Sequence, residues 1–108
     1  MSWIGVDLDG TLAHYDGWKG ADNIGPPIPA MLDRVKKWLS EGREVRIFTA
    51  RASMHDQIPE VEQWCKQHIG VVLGVTNRKE FGLVELWDDR CVRVQANTGE
   101  PCCGFWER

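Results

Sequence analysis

The feature that most constrains this chain is an apolar segment that ends abruptly in polar residues. Ile4–Leu12 reads IGVDLDGTL, so two carboxylates, a glycine and a hydroxyl follow the apolar start. A short apolar run of this kind, bounded by polar residues, predicts a strand that is covered on both faces. Asp7 and Asp9 then leave the carboxyl end of that strand, and Gly10 permits a tight turn. Because parallel α/β sheets bind ligands at this edge, we expect a functional site here.

The two neighbouring carboxylates also constrain the chemistry of such a site. Asp7 and Asp9 repel each other when they lie close together, so they need a cation or a shared proton. Hard oxygen ligands beside a phosphate-bearing substrate suit Mg²⁺, which takes only one or two protein carboxylates and keeps several waters. From these residues alone, an Asx-type turn after a strand is the open alternative.

The rest of the chain alternates helical and extended patterns. Apolar residues recur in steps of three and four from Ile28 to Leu39, which predicts a helix that begins near Pro29 and ends at Gly42. The later predicted elements are a strand over Glu44–Arg51, a helix over roughly Asp56–Ile69, and strands over Val71–Thr76, Leu83–Trp87 and Cys91–Gln95. This order predicts one α/β domain over residues 1–108, with helices on both faces of a mainly parallel sheet of about five strands.

Polar side chains end several of these predicted strands. Thr49 lies near the end of the second, and Asp88 and Asp89 follow the fourth. When the ends of parallel strands are side by side, these residues and Asp7 form one polar cluster.

At this point the chain resembles a known family. Asp7-Leu8-Asp9-Gly10-Thr11-Leu12 resembles the first motif, DxDGT, of the haloacid dehalogenase-like (HAD) phosphohydrolases. Three further motifs of that family have matches in the expected order, and the resemblance covers roughly Ile4 to Val94. Those matches are Thr49, Lys79 and the pair Asp88-Asp89. The resemblance implies a three-layer Rossmannoid fold and a Mg²⁺-dependent phosphohydrolase.

The resemblance also implies a role for each matched residue. Asp7 matches the nucleophile that forms an aspartyl-phosphate, and Asp9 matches the general acid and base. Thr49 matches the residue that hydrogen-bonds the phosphoryl group, and Lys79 matches the lysine that neutralises its charge, with Arg78 as the substitute. The residues assigned to the metal are Asp7, Asp9, Asp88 and Asp89. In the family the backbone carbonyl at the position of Asp9 is a ligand, and of the acidic pair Asp88 is favoured over Asp89 as the direct ligand.

Further residues are assigned to substrate binding. They adjoin the motifs or lie in the loop His14–Gly25, and they are Gly10, Thr11, Ala50, Arg51, Trp18 and Lys19. Trp18 and Lys19 suit a base and a phosphate, and the alternative is that Trp18 anchors the loop to the body. For Arg51, an ion pair at the start of a helix is equally open. Trp106 in the tail is a further candidate for contacts with a substrate or a second subunit.

The intervals between the motifs leave no room for the cap domain that HAD phosphatases commonly carry. We therefore expect an open site, closed only by the loop His14–Gly25 or by another subunit, that admits a phosphate on a large molecule. The ending Asp88-Asp89-Arg90 is similar to that of the 3′-phosphatase domain of polynucleotide kinases. Together these observations favour a nucleotide or a nucleic-acid end as the substrate and leave self-association open.

The amino-acid composition excludes few classes of function. The net charge of −3 disfavours a broad nucleic-acid-binding surface. When the four acids assigned to the metal site are left out, however, the chain has 12 acidic and 13 basic residues, so a polyanionic substrate stays open. Four cysteines without a CxxC spacing predict reduced thiols, and no stretch is long enough for a membrane span, so a cytoplasmic protein is expected. Two other classes stay open: a catalytically weak HAD-fold binding module, and a receiver-like phosphorylatable domain. The latter is disfavoured because Thr49 and Thr76, not aspartates, end the second and third strands.

Overall fold

A computed structural model describes residues 2–102 of the chain. Its sheet has four strands in the order β3-β2-β1-β4, and all three pairings are parallel. The strands are β1 (Trp3–Val6), β2 (Val45–Phe48), β3 (Gly74–Thr76) and β4 (Leu83–Trp87). The buried segment β1 therefore lies in the interior of the sheet, as its apolar sequence predicts.

Two α-helices connect the first three strands. Helix α1 (Pro29–Ser40) begins at the predicted proline, and Gly42 follows it with a φ of +79°. Helix α2 (Ile58–His68) begins two residues later than predicted, because the 3-10 turn His55–Gln57 precedes it. The predicted α/β alternation is thus confirmed for the first three strands.

The main core lies between the sheet and both helices. Alternate residues of β1 and β2 belong to the same hydrophobic cluster as buried residues of α1 and α2. Members of this cluster are Ile4, Val6, Val45 and Ile47 from the strands, and Met31, Val35, Val61, Trp64 and Cys65 from the helices. Both helices therefore pack on the same face of the sheet. Two right-handed crossovers that each move one strand in the same direction along the sheet require this arrangement.

The opposite face of the sheet is covered by side chains of its own strands. A Cβ at Gly5 would lie 2.9 Å from Leu83 Cδ1 and 3.2 Å from Leu86 Cδ1, so these leucines lie directly over the glycine. Trp3 is buried beside them, and the guanidinium of Arg46 stacks on its ring at 4.5 Å. The connection from β3 to β4 contains no helix, so the expected helix on each face is not found in residues 2–102.

Three further predictions about strands need correction. The fifth strand, Cys91–Gln95, is absent: Val92 and Val94 are exposed, and Val94 makes only an isolated bridge with Pro101. Within residues 2–102 nothing covers these valines, so no apolar burial there offsets the cost of ordering a strand. Strand β2 ends at Phe48 because a 3-10 turn starts at Ala50, and β3 starts only at Gly74.

Other sequence predictions concern single residues and the membrane. Among the described cysteines, Cys65, Cys91 and Cys102 are free thiols, and burial raises the pKa of Cys65 to about 11. Cys103 and Trp106 lie outside the described residues. Within residues 2–102, no helix has the length and apolar character that crossing a membrane requires.

Candidate active site

The site forms where three neighbouring strands end. Strands β2, β1 and β4 are adjacent and parallel, so their carboxyl ends lie at one edge of the sheet. Asp7 follows β1, Thr49 follows β2, and Asp88 and Asp89 follow β4. All four residues line one cleft of about 620 Å³, together with Asp9. The predicted polar cluster is therefore present, and the parallel pairing of the strands produces it.

Three carboxylates meet at the centre of this edge. One oxygen from each of Asp7, Asp88 and Asp89 lies within 4.8 Å of the other two. Burial, followed by the negative charges of Asp88 and Asp89, raises the pKa of Asp7 from 3.8 to about 8. Such crowding of anionic oxygens needs a cation or protons. Carboxylate oxygens are the hard ligands that Mg²⁺ prefers, and the one or two protein carboxylates that this ion usually takes can come from these three.

Gly10 and Thr11 fix the position of Asp89. The Thr11 hydroxyl donates to Asp89 Oδ1 at 3.1 Å, and the Asp89 backbone N–H donates back to Thr11 Oγ1 at 2.9 Å. Gly10 has a φ of +94°, and a Cβ there would lie 2.6 Å from Asp89 Oδ2. Both residues were assigned to substrate binding from the sequence, and that role stays a prediction. Their contacts in the structure hold the end of β4 against the turn after β1.

The Asp9 side chain turns away from the other three carboxylates. Its two oxygens accept hydrogen bonds from Arg51, from Nε at 2.7 Å and from Nη2 at 3.0 Å. The Asp9 side chain is therefore not part of the three-carboxylate cluster, and the metal contact of its backbone carbonyl stays a prediction. Arg51, which lies 42 positions away in the chain, binds this carboxylate.

Thr49 lies where the resemblance requires it. The residue is buried, and its hydroxyl oxygen accepts a hydrogen bond from the Arg51 backbone N–H at 3.2 Å. This bond caps the 3-10 turn Ala50–Ser53, which directs Ala50 and Arg51 into the lining of the cleft. The Thr49 hydroxyl proton stays available to an oxygen in the cleft.

The two lysines assigned to the site do not line the cleft. Lys79 is exposed, and the preceding backbone is held by a hydrogen bond from the Arg78 N–H to Thr76 Oγ1 at 3.0 Å. Lys19 forms an exposed ion pair with Asp16 at 2.9 Å. Neither lysine borders the cleft in this structure, and their contacts with substrate stay predictions.

The cations that do line the cleft are Arg51 and Arg90. The sequence assigned no role to Arg90, although it directly follows the acidic pair at the end of β4. Its backbone N–H donates to Asp88 Oδ1 at 2.8 Å, so the same short turn that directs Asp88 also brings Arg90 to the cleft. The position of Arg90 directly after Asp88 and Asp89 was the feature of the sequence that could have indicated its place at the cleft.

One side of the cleft is aromatic and apolar. Tyr15, Trp18 and Met54 line it, and each is about half exposed, at 45%, 56% and 53%. Large apolar side chains that are exposed together beside polar groups are typical of a ligand site. Trp18 was predicted either to contact substrate or to anchor its loop, and its ring lies over the Arg51 guanidinium at 4.7 Å.

The loop that carries Tyr15 and Trp18 is attached firmly at its base. His14 N–H donates to Pro26 O at 2.8 Å, and Ala13 and Pro27 form an antiparallel bridge. The indole N–H of Trp64 on α2 donates to Gly25 O at 2.9 Å. These bonds hold the base of the loop against the helical layer.

Comparison with known proteins adds information about the fold. No family model and no curated protein matches the chain. The solved structure of a conserved protein from Bacteroides thetaiotaomicron is similar, with a TM-score of 0.63 and 23% sequence identity. The match covers 82% of this chain and 76% of that one. At this level of identity the likeness shows the fold alone, which is a parallel α/β sheet with helices.

Proposed function

We propose that this chain is a Mg²⁺-dependent phosphomonoesterase of the HAD type, with a Rossmannoid core and no cap domain. The observation that carries the proposal is the convergence of Asp7, Asp88 and Asp89 within 4.8 Å, in the cleft that Asp9 and Thr49 also line. These residues come from three strand ends: Asp7 and Asp9 follow β1, Thr49 follows β2, and Asp88 and Asp89 follow β4. A cluster of acids on a surface needs neither a buried hydroxyl such as that of Thr49 nor a further carboxylate held by a separate group, as Asp9 is held by Arg51. Phosphoryl transfer uses both.

In the first step, an Asp7 carboxylate oxygen attacks phosphorus, and the bond from phosphorus to the ester oxygen breaks. Asp9 gives a proton to that ester oxygen, so the alcohol leaves and Asp7 carries the phosphoryl group. Thr49 donates to a phosphoryl oxygen. Mg²⁺ held by Asp7, Asp88 and Asp89 would neutralise negative charge on the nucleophile and the phosphoryl oxygens.

In the second step, water replaces the alcohol. Asp9 takes a proton from the water as its oxygen attacks phosphorus, and the bond from phosphorus to the Asp7 oxygen breaks. Inorganic phosphate leaves, and both aspartates return to their starting state. Arg90 also borders the cleft, so it supplies the positive charge near the phosphoryl group that the resemblance assigns to Lys79.

The cleft favours a substrate with a flat, apolar group beside the phosphate. Its volume of about 620 Å³ exceeds what a phosphate needs, and Tyr15, Trp18 and Met54 offer exposed apolar surface on one side. Aromatic side chains bind nucleobases by stacking, with little sequence preference. A nucleotide or a phosphorylated nucleic-acid end therefore fits the site better than a small sugar phosphate does.

The first experiment is a phosphate-release assay with and without Mg²⁺. The panel holds 4-nitrophenyl phosphate, mononucleotides, sugar phosphates, and oligonucleotides with a 3′- or 5′-phosphate. Asp7→Asn serves as the blank, and Asp33→Asn, on the exposed surface of α1, serves as the matched control. We expect Mg²⁺-dependent turnover in the wild type and the control, none in Asp7→Asn, and a preference for nucleotide substrates. If the wild type binds Mg²⁺ but releases no phosphate from any member, the binding-module alternative replaces the proposal.

A second experiment separates the two aspartates. Asp9→Asn keeps the nucleophile but removes the proton donor and acceptor, so a phosphoenzyme from a good leaving group should accumulate. Mass spectrometry after a quench detects the added phosphoryl group. Wild-type steady-state rates in Asp9→Asn would exclude the acid–base role.

A further inference from the structure

Arg51 has an unusual set of contacts for an arginine beside a catalytic cleft. The residue is only 4% exposed. Its Nε and Nη2 donate hydrogen bonds to the two carboxylate oxygens of Asp9, at 2.7 and 3.0 Å. A guanidinium that binds both oxygens of a carboxylate fixes the plane of that carboxylate as well as its distance. Arg51 therefore sets the orientation of Asp9.

The other side of the same guanidinium contacts the loop after β1. Nη1 donates to Ala21 O at 2.9 Å, and the Trp18 ring lies over Cζ at 4.7 Å. Asp9 and the loop are thus joined through one planar group. A shift of the loop that moves Trp18 or Ala21 must change the bonds that Arg51 makes, and hence the orientation of Asp9.

The backbone of Arg51 is itself held in place. Its N–H donates to the buried Thr49 hydroxyl at 3.2 Å, and its carbonyl accepts from the Met54 N–H at 3.2 Å. The 3-10 turn after β2 therefore presents the guanidinium from a fixed base. Because the base of the loop is also fixed, the contacts of Arg51 with Trp18 and Ala21 join two anchored segments.

We propose that Arg51 is a positioning residue: it orients the Asp9 carboxylate for proton transfer and couples that orientation to the loop through Trp18 and Ala21. The inference rests on the proposed phosphomonoesterase function and deepens it. The competing role is direct binding of the substrate phosphate. Three of the five guanidinium N–H groups already bond to protein, which favours positioning over direct binding.

The leaving group of the substrate distinguishes these two roles. An alkyl ester such as a nucleoside 5′-monophosphate needs a proton on its departing oxygen, whereas 4-nitrophenolate departs without one. In Arg51→Lys, which keeps the charge but loses the planar fork, we expect kcat/KM for the alkyl ester to fall by about 10- to 100-fold, because kcat/KM reports the step in which the ester oxygen leaves. The fall of kcat/KM for 4-nitrophenyl phosphate should stay within about threefold, whereas kcat falls for both substrates through the shared second step, in which Asp9 activates water.

Arg46→Lys is the matched control. Arg46 also stacks on a tryptophan and pairs with carboxylates, Glu44 at 2.7 Å and Glu80 at 2.9 Å, but it lies outside the cleft lining. This variant should retain wild-type kinetics on both substrates. Thermal unfolding of both variants shows whether either change acts through general loss of the fold.

A double mutant tests whether Arg51 acts through Asp9. In an Asp9→Asn background, Arg51→Lys should have little further effect on kcat, because the group that it positions is already disabled. Independent losses that multiply, or an equal rise of KM on both substrates, would overturn the proposal in favour of direct phosphate binding. A faster alkyl-ester rate in Arg51→Lys would equally overturn it, since Arg51 would then restrain Asp9 from reacting.

Hydrogen exchange tests the coupling without any turnover. In the wild type, Arg51→Lys, Arg46→Lys and Trp18→Leu, exchange is followed by mass spectrometry over residues 14–24. Arg51→Lys and Trp18→Leu should accelerate exchange in that segment, and Arg46→Lys should not. Unchanged exchange in both would refute the coupling. If the wild type hydrolyses no phosphate ester, the proposed function fails, while this measurement still decides whether Arg51 links the loop to Asp9.

Discussion

Replacing Asp7 by asparagine should stabilise the metal-free protein at neutral and alkaline pH while it abolishes the proposed catalysis. The cause lies in the carboxylate cluster, where burial and then the charges of Asp88 and Asp89 raise the pKa of Asp7 from 3.8 to about 8. Asparagine has nearly the same shape and never ionises, so it removes the repulsion without opening a cavity.

The sign of the effect follows from proton linkage. Between about pH 4 and pH 8, folded wild-type protein holds a proton on Asp7 that the unfolded chain has released. The free energy of unfolding of the wild type therefore falls as the pH rises through this interval, and it levels off above about pH 8. The advantage of Asp7→Asn should be near zero at pH 4 and largest above pH 8. Each pKa unit corresponds to about 1.4 kcal/mol, and solvent screening at this partly exposed site reduces the expected gain to about 1–3 kcal/mol.

Urea unfolding in the presence of a chelator, at several pH values, measures this difference. Asp33→Asn, an exposed substitution on α1, should follow the wild type at every pH. Saturating Mg²⁺ at pH 8 should stabilise the wild type more than Asp7→Asn, because a ligand stabilises the state that binds it. The reasoning is refuted if Asp7→Asn is no more stable than the wild type at pH 8. It is also refuted if the difference is the same at all pH values, since a packing effect would then be the cause.

Three other predictions concern the surroundings of the cluster. Gly10→Ala should lower the free energy of unfolding by about 1–3 kcal/mol and weaken Mg²⁺ binding, because φ is +94° and the new Cβ would lie 2.6 Å from a carboxylate oxygen. Gly42→Ala is the control, because Gly42 has a φ of +79° but no neighbour among the described residues within 4 Å of its Cβ. It should lower the free energy of unfolding by less than Gly10→Ala does and leave Mg²⁺ binding unchanged. Equal losses of stability in the two variants on denaturant unfolding would show that the contact between the Cβ and Asp89 has no effect. Asp88→Ala should raise the Mg²⁺ concentration for half-maximal activity by about tenfold or more, and an unchanged titration would remove this residue from the metal site. Arg90→Ala should lower kcat/KM more than Lys79→Ala, since only the arginine lines the cleft; the reverse order would restore the lysine to the role implied by the resemblance.

Much of the layout could be predicted from local sequence. The apolar run before Asp7 predicts a buried strand, and Pro29 and Gly42 mark the limits of α1, because burial and backbone restriction act within a few residues. Alternation of helix and strand then implies parallel pairing. Parallel pairing alone places Asp7, Thr49 and Asp88 at one edge of the sheet.

Tertiary contacts determined the rest. The predicted fifth strand is absent because no element among the described residues covers Val92 and Val94. The face of the sheet that a helix occupies depends on the direction of each crossover. Neither cause is visible in the periodicity of the segment concerned. Lys79 is a further example. The family resemblance assigns this lysine to the site, but the path of the chain after β3 leaves it exposed.

The contrast is sharpest for the two aspartates of the first motif. By their position after the strand alone, without the family resemblance, Asp7 and Asp9 are equivalent carboxylates two residues apart. In the structure, Asp7 lies with Asp88 and Asp89, while Asp9 is bound by Arg51 from a turn 42 residues later. Sequence alone placed both acids at the end of a strand, because local burial sets where a strand ends. Their separate environments depend on which distant side chain reaches each carboxylate, and only the packing of the strands and turns determines that.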